Sequence, residues 1–212
     1  NGKFRLDKDG NFHHEIEKSA LDAMNRLRLG GRKGWAYGFC RAYHEWAQKN
    51  KLKPGDGKYE DYWRKAVRAQ VEAFRKAGFK DDEYYICAWD EVKAKNVDLC
   101  VHLLKILREE APRMKIANTI QCSKSEQKKQ FPYVDAWVAA GGFYWDARWA
   151  DELRKAGKEL WAYTCRTPVR AQNPLGYYRM AGWRAIKARM RGISFFAYSY
   201  LIYDIDGEVV PT

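Results

Sequence analysis

Asp90 and Glu91 stand side by side at the end of "EYYICAWDE", an apolar, aromatic run over residues 83 to 91. Two carboxylates in one place can divide proton traffic, one giving up a proton while the other stays charged, and glycosidic bond cleavage needs that division. Two other adjacent acidic pairs, Asp82-Glu83 and Asp151-Glu152, fall in a turn and on a polar helix face, where solvation accounts for them. Asp90-Glu91 differs because the run that leads into it reads as a buried strand. Neighbouring side chains of a regular strand point to opposite faces, so both carboxylates enter one cleft only where the chain turns at the strand end. A second reading makes the pair a cap for the following helix, since acidic groups favour a helix N-terminus. The pattern leaves both open.

Other reactive residue types form no comparable set. Cys40, Cys87, Cys100, Cys122 and Cys165 have neither the short spacing of a zinc knuckle nor that of a redox motif, and His13, His14, His44 and His102 have no metal spacing. A site from Cys40, Cys122 and Cys165 requires three strand ends to converge, and buried small hydrophobes are the simpler account. No metal and no cofactor is expected.

The elements that must position the acidic pair follow from periodicity. A hairpin-like opening at 4–12 precedes helical spacing over 14–29, a strand at 34–40 and a helix at 58–77 ended by Gly78. The strand at 83–91 is followed by a helix to Pro112, strands at 114–120 and 134–142, and a helix at 145–157. A strand at 159–165, a helix at 173–192 and a strand at 193–200 complete the series. Strands joined by helices predict an α/β fold with a parallel sheet. Neither GxGxxG nor GxxxxGK[ST] follows any strand, which argues against a nucleotide-binding open sheet. The strand ends instead carry Cys40-Arg41, Asp90-Glu91, Gln121-Cys122, Gly142 to Tyr144, Cys165-Arg166 and Ser199-Tyr200. Polar and aromatic groups at successive strand ends suit the active face of a (β/α)8 TIM-type barrel. Six strands cannot close one, so residues 1–212 are expected to form one partial barrel domain covering about strands 3 to 8. The missing N-terminal strands would come from elsewhere in the protein or from another chain.

Composition agrees with a folded domain: 46% hydrophobic and 15% aromatic residues, with nine Trp and fourteen Tyr among 212. Aromatics at that density fill cores and also line sugar-binding clefts. The longest apolar run, "ISFFAYSYLIY" at 193–203, is too short to cross a bilayer. The chain opens Asn1-Gly2 without Met and stops at "GEVVPT", which reads as a trimmed chain. The net charge of +12 favours acidic partners, an anionic glycan among them. Nucleic acid is disfavoured because Lys and Arg are spread over amphipathic helices rather than gathered on one face.

"YYICAWDE", then "ELWAYTCRTP" and "NPLGYYRMAGWRAIKARMRGISFFAYSY", then "DGEVVP", together resemble the C-terminal part of the catalytic barrel of glycoside hydrolase family 123 and allied barrel domains of unassigned function. The resemblance covers most of residues 34 to 210. It implies a β-N-acetylgalactosaminidase-type enzyme with a glycan substrate, a retaining, substrate-assisted reaction, and a secreted or periplasmic setting. Glu91 would protonate the leaving oxygen and then activate water. Asp90 would hold the 2-acetamido group while its carbonyl oxygen attacks the anomeric carbon. Tyr163 would donate to the acetamido oxygen, and Trp161 and Trp145 would wall the sugar. Tyr144, Arg166 and Tyr198 are placed at the site by position, where core or rim packing explains them equally well. The chain departs from the family in following the pair with Val92 where Pro is common. A non-catalytic carbohydrate-binding or structural barrel in a larger assembly is the alternative.

Overall fold

The structure, a computed structural model, describes residues 2–29, 34–36, 39–140, 146–164, 179–195, 202–203 and 209–210. It divides into two compact units, Asn1–Ala136 and Trp137–Thr212.

The first unit opens with an antiparallel hairpin of β1 (Gly2–Leu6) and β2 (Phe12–Ile16). Asp7 makes the turn: its Oδ1 accepts from the Asp9 and Asn11 backbone amides at 3.0 and 2.8 Å, the local chemistry that suits Asp to turns. β2 takes residues 14 to 16 from the helix expected at 14–29, and α1 runs Lys18–Leu29. His14 explains the difference, since its ring stacks on Phe4 across the hairpin at 4.7 Å. β3 spans only Gly34–Ala36, and α2 (Phe39–Lys49) takes up the rest of the strand expected at 34–40. Cys40 and Arg41 are therefore helical rather than a strand end. The packing of Tyr43 and Ala47, both buried, supplies the amphipathic spacing that favours helix there.

α3 (Gly57–Lys76) buries Tyr59, Trp63, Ala66, Val67, Gln70, Val71 and Phe74 on one stripe. It ends in a Schellman motif: the Phe79 amide reaches the Phe74 carbonyl at 3.0 Å and the Gly78 amide the Arg75 carbonyl at 2.9 Å. Gly78 takes the required left-handed φ of 83°. β4 (Tyr84–Val92) follows, then a 3-10 turn at Ala94–Asn96 and α4 (Val97–Glu110). β5 is Lys115–Ile120, and α5 (Lys124–Lys129) opens with a capping box between Ser123 and Glu126. β3, β4 and β5 are parallel, with Ala36 opposite Ile86 and Ile86 opposite Ile116. α3 and α4 cover this sheet and are tied by Arg64 and Arg68 to Glu110 at 2.6 to 2.9 Å. Arg108 clamps the far end of α4, donating to the carbonyls of Met114 and Tyr133 and to Asp135.

β6 (Ala136–Ala140) leads into the second unit, with α6 (Ala147–Lys155), β7 (Glu159–Thr164), α7 (Met180–Lys187) and β8 (Gly192–Phe195). Asp146 caps α6 through its Oδ1, which accepts from the Arg148 amide at 2.9 Å. β7 pairs parallel with β8, Trp161 opposite Gly192. β9 (Ile202–Tyr203) and β10 (Val209–Val210) form a short antiparallel pair. The outcome is a mixed α/β fold built on parallel strands. Among the described residues no helix is long and apolar enough to cross a membrane.

Candidate active site at the end of β4

β4 is buried from Tyr84 to Ala88 and in register to Cys87, then changes character at Trp89, Asp90 and Glu91, all half-buried. Its register against β5 breaks twice, between Cys87 and Trp89 and between Trp89 and Val92. Glu91 takes φ 51°, in the left-handed region that a residue with a Cβ rarely enters. This is a β-bulge, which interrupts the alternation of side chains and re-aims them. Adjacent carboxylates are thereby freed from the rule that places neighbours on opposite faces.

A bulge removes ladder hydrogen bonds, and a buried backbone amide must find another partner. Two side chains of β5 supply them. Asn118 Oδ1 accepts from the Trp89 amide at 2.9 Å, and Thr119 Oγ1 accepts from the Glu91 amide at 2.5 Å. The Thr119 hydroxyl donates in turn to Asp90 Oδ1 at 2.8 Å. One threonine thus sets the backbone of one carboxylate residue and the side chain of the other. Asn118 is anchored from behind, its Nδ2 donating to Gln130 Oε1 at 2.9 Å. The Gln121 amide restores the ladder by reaching the Val92 carbonyl at 3.0 Å. The helix-cap reading of the pair does not hold here: α4 starts at Val97 with Asn96 at its N-cap position, and Asp90 and Glu91 lie within β4.

Beside the bulge lies a cleft of about 420 Å³. α2 lines it with His44, Glu45, Ala47 and Gln48, and Tyr59, Trp89, Asp90 and Leu99 close it from α3, β4 and α4. Leu52 and Pro54 complete it. Leu52 is drawn back over the end of α2 by the hydrogen bond its backbone amide donates to the Ala47 carbonyl at 2.9 Å. Asp90 is among the lining residues described, and Glu91 is not. The His44 ring packs against Trp89 at 4.8 Å and lies parallel to Trp63 at 6.0 Å. Its Nδ1 meets the Tyr59 hydroxyl at 2.6 Å, while its Nε2 is buried with no hydrogen-bond partner. Burial lowers its pKa to about 4, so the ring is neutral at physiological pH. Beneath the bulge, burial first and the Asp90 charge second push the Cys87 thiol up to about 12, which makes it inert as a nucleophile.

Trp161 and Tyr163 come together in the second unit, two residues apart on one face of β7, both half-buried. Trp161 Nε1 donates to Glu159 Oε2 at 2.7 Å. Its ring lies against Gly192 of β8, where a Cβ would stand 3.4 Å from the indole. Tyr144, Trp145, Arg166 and Tyr198 lie outside the described residues. Among the described residues, no group of three or more His, Cys, Asp or Glu side chains is placed to hold a metal ion. Sequence reading passed over Asn118, Thr119 and His44. The first two had a signal: they are the polar pair inside the otherwise apolar strand "KIANTI". His44 had none, because nothing in its local sequence marks α2 as a neighbour of β4.

No family model matches this chain, and no curated protein matches it either. Its fold is similar to that of a family 123 glycoside hydrolase from Clostridium perfringens, a protein whose structural analysis addressed glycolipid glycan hydrolysis. The TM-score is 0.64 at 16% identity, covering 94% of this chain and 38% of that one. The chain therefore spans well under half the length of the hydrolase it resembles. At that identity the likeness is one of fold.

Proposed function

We propose that this chain is part of a glycoside hydrolase barrel, covering about strands 3 to 8, that cleaves β-linked N-acetylhexosamine, with galactosamine preferred. The observation that carries this reading is the bulge at the end of β4, with Glu91 at φ 51° and Thr119 holding Asp90 at 2.8 Å. Unfavourable backbone at a polar strand end is a mark of functional sites. Here it releases two adjacent carboxylates from strand alternation, and the fold likeness to a glycoside hydrolase supports the same chemistry. In the proposed reaction Glu91 protonates the leaving oxygen. Asp90 holds the N–H of the 2-acetamido group so that its carbonyl oxygen forms the bond to the anomeric carbon as the leaving group departs. Glu91, now ionised, takes a proton from water, which opens the cyclic intermediate with net retention. No carboxylate across the sugar is required, which is why the two can be neighbours. In this reading, as in the family resemblance, Tyr163 donates to the acetamido oxygen and Trp161 and Trp145 wall the sugar, with Tyr144, Arg166 and Tyr198 as further substrate-binding candidates.

The test is release of aryl alcohol from aryl β-N-acetylgalactosaminide, run beside the glucosaminide, the 2-deoxy sugar and the Glu91→Gln variant. Hydrolysis that needs the 2-acetamido group and collapses in the variant supports the reading. No release from any sugar by the folded, complete protein moves the assignment to a non-catalytic carbohydrate-binding barrel.

A further inference from the structure

The cleft beside Asp90 is larger than the group that the proposed reaction asks Asp90 to hold. An acetamido group fills roughly the space of two or three water molecules at about 30 Å³ each. The cleft measures about 420 Å³. Asp90 lines it, and Glu91 is not among its described lining residues, which sets the cleft beside the residue proposed to hold the amide. Beyond Asp90 its exposed lining is largely apolar, with Ala47, Leu52, Pro54, Trp89 and Leu99 beside His44, Glu45, Gln48 and Tyr59. Alkyl groups are drawn out of water onto surfaces of that kind.

Resting on the function proposed above, we propose that this cleft receives the acyl tail of the 2-acylamino group, so that the enzyme accepts N-acyl hexosamines with chains longer than acetyl. The chemistry leaves the tail free to vary. Asp90 needs only the amide N–H and the anomeric carbon needs only the carbonyl oxygen. What lies beyond the carbonyl carbon meets Leu52, Leu99 and Trp89. Leu99 is half-buried on α4 and sets one wall.

The experiment compares aryl β-galactosaminides bearing N-acetyl, N-propionyl and N-butyryl groups, with the full chain and its Leu99→Trp variant. The expected result is a kcat/KM for N-butyryl within about tenfold of that for N-acetyl. A tight acetyl pocket would instead reject each added methylene by roughly 10- to 200-fold. Leu99→Trp is expected to lower the butyryl-to-acetyl ratio by at least about tenfold through lost volume. Should that variant not fold, Gln48→Trp, on the exposed rim of the same cleft, takes its place. Turnover of N-acetyl with N-butyryl more than about tenfold slower overturns the inference and leaves the function intact. If none of the three is hydrolysed, the function fails, and calorimetric titration with the three methyl glycosides decides the cleft separately. N-butyryl binding as tightly as N-acetyl and weakened by the tryptophan upholds it, and absence of binding by all three overturns it.

Discussion

Thr119→Val tests whether one hydroxyl holds the acidic pair in place. Valine keeps the β-branch and nearly the same volume, so the exchange opens no cavity and keeps the strand preference. It removes the group that donates to Asp90 Oδ1 at 2.8 Å and accepts from the Glu91 amide at 2.5 Å. Thr119 is 2% exposed, so water has little room to take over either bond. A hydrogen bond to a charged group contributes about 1.5–3 kcal/mol, and a buried amide left unpaired costs about 1–3 kcal/mol. The two losses share one site and do not add in full, which gives an expected destabilisation of about 2–4 kcal/mol. In a chain of this size that lowers Tm by roughly 5–15 °C. Urea unfolding should show a lower midpoint at unchanged m-value, the signature of lost stability without a change in the unfolded chain. Thr119→Ser keeps the hydroxyl and loses one methyl, so it should cost only about 1 kcal/mol. The reasoning is refuted if Thr119→Val lies within about 0.5 kcal/mol of the parent, or if serine costs as much as valine.

Glu91→Gly should stabilise the fold by about 0.5–1 kcal/mol, because glycine enters φ 51° without the penalty that a Cβ meets; the same variant should lose all hydrolysis in the aryl glycoside assay. Asn118→Leu should cost about 2–4 kcal/mol in urea unfolding, since Asn118 is fully buried and both its amide atoms are engaged, with the Trp89 amide and Gln130. His14 and His44 both have pKa values lowered by burial from 6.5 to about 4. The unfolded chain therefore binds more protons between those values, and the stability these rings confer is in place above pH 6.5 and lost as pH falls through 4, by at most about 3 kcal/mol each. The His14→Phe, His44→Phe double variant should show a flatter urea midpoint across that window. Cys87, Cys100 and Cys122 are buried free thiols whose pKa values burial raises, so peptide-resolved alkylation at neutral pH should modify them only after denaturant is added.

The parallel strands were legible because their signal is local: short apolar runs, bounded by turn residues, between helices of amphipathic spacing. β4 and β5 show it well, with expected and observed spans differing by a residue or so. Short elements were not legible. β3 is a three-residue strand, and "YGFCRAYHEW" around its end carries aromatics at a spacing that suits a strand start and a helix equally. Pairing with β4 decides the first part and packing of Tyr43 on Trp63, at 4.9 Å, decides the second; both are contacts distant in sequence. The position of the acidic pair was legible, and the means of exposing it were not. A bulge is a property of two strands in register, and its cause is split between Glu91 on one and Asn118 and Thr119 on the other.

That division explains why β5 is built as it is. A strand buried on both faces reads as a continuous apolar run, and Asn118 and Thr119, both nearly inaccessible, violate that rule in the middle of "KIANTI". Each accepts from an amide of β4 within the bulge, where a backbone carbonyl would serve in a regular ladder. Without them, the bulge would bury the Trp89 and Glu91 amides unpaired, at about 1–3 kcal/mol each, and a regular strand would be the more stable arrangement. With them, the strain at Glu91 is held by a network that continues through Gln130 to Cys122, whose carbonyl accepts from Gln127 at 3.0 Å. Polar groups fully satisfied in a core specify one arrangement against its alternatives. The buried amide and hydroxyl of β5 therefore belong to the acidic pair as much as to the sheet, and replacing both with leucine and valine should return β4 toward regular pairing. In that register Asp90 and Glu91 would face opposite sides of the sheet, and any chemistry that needs them together would end.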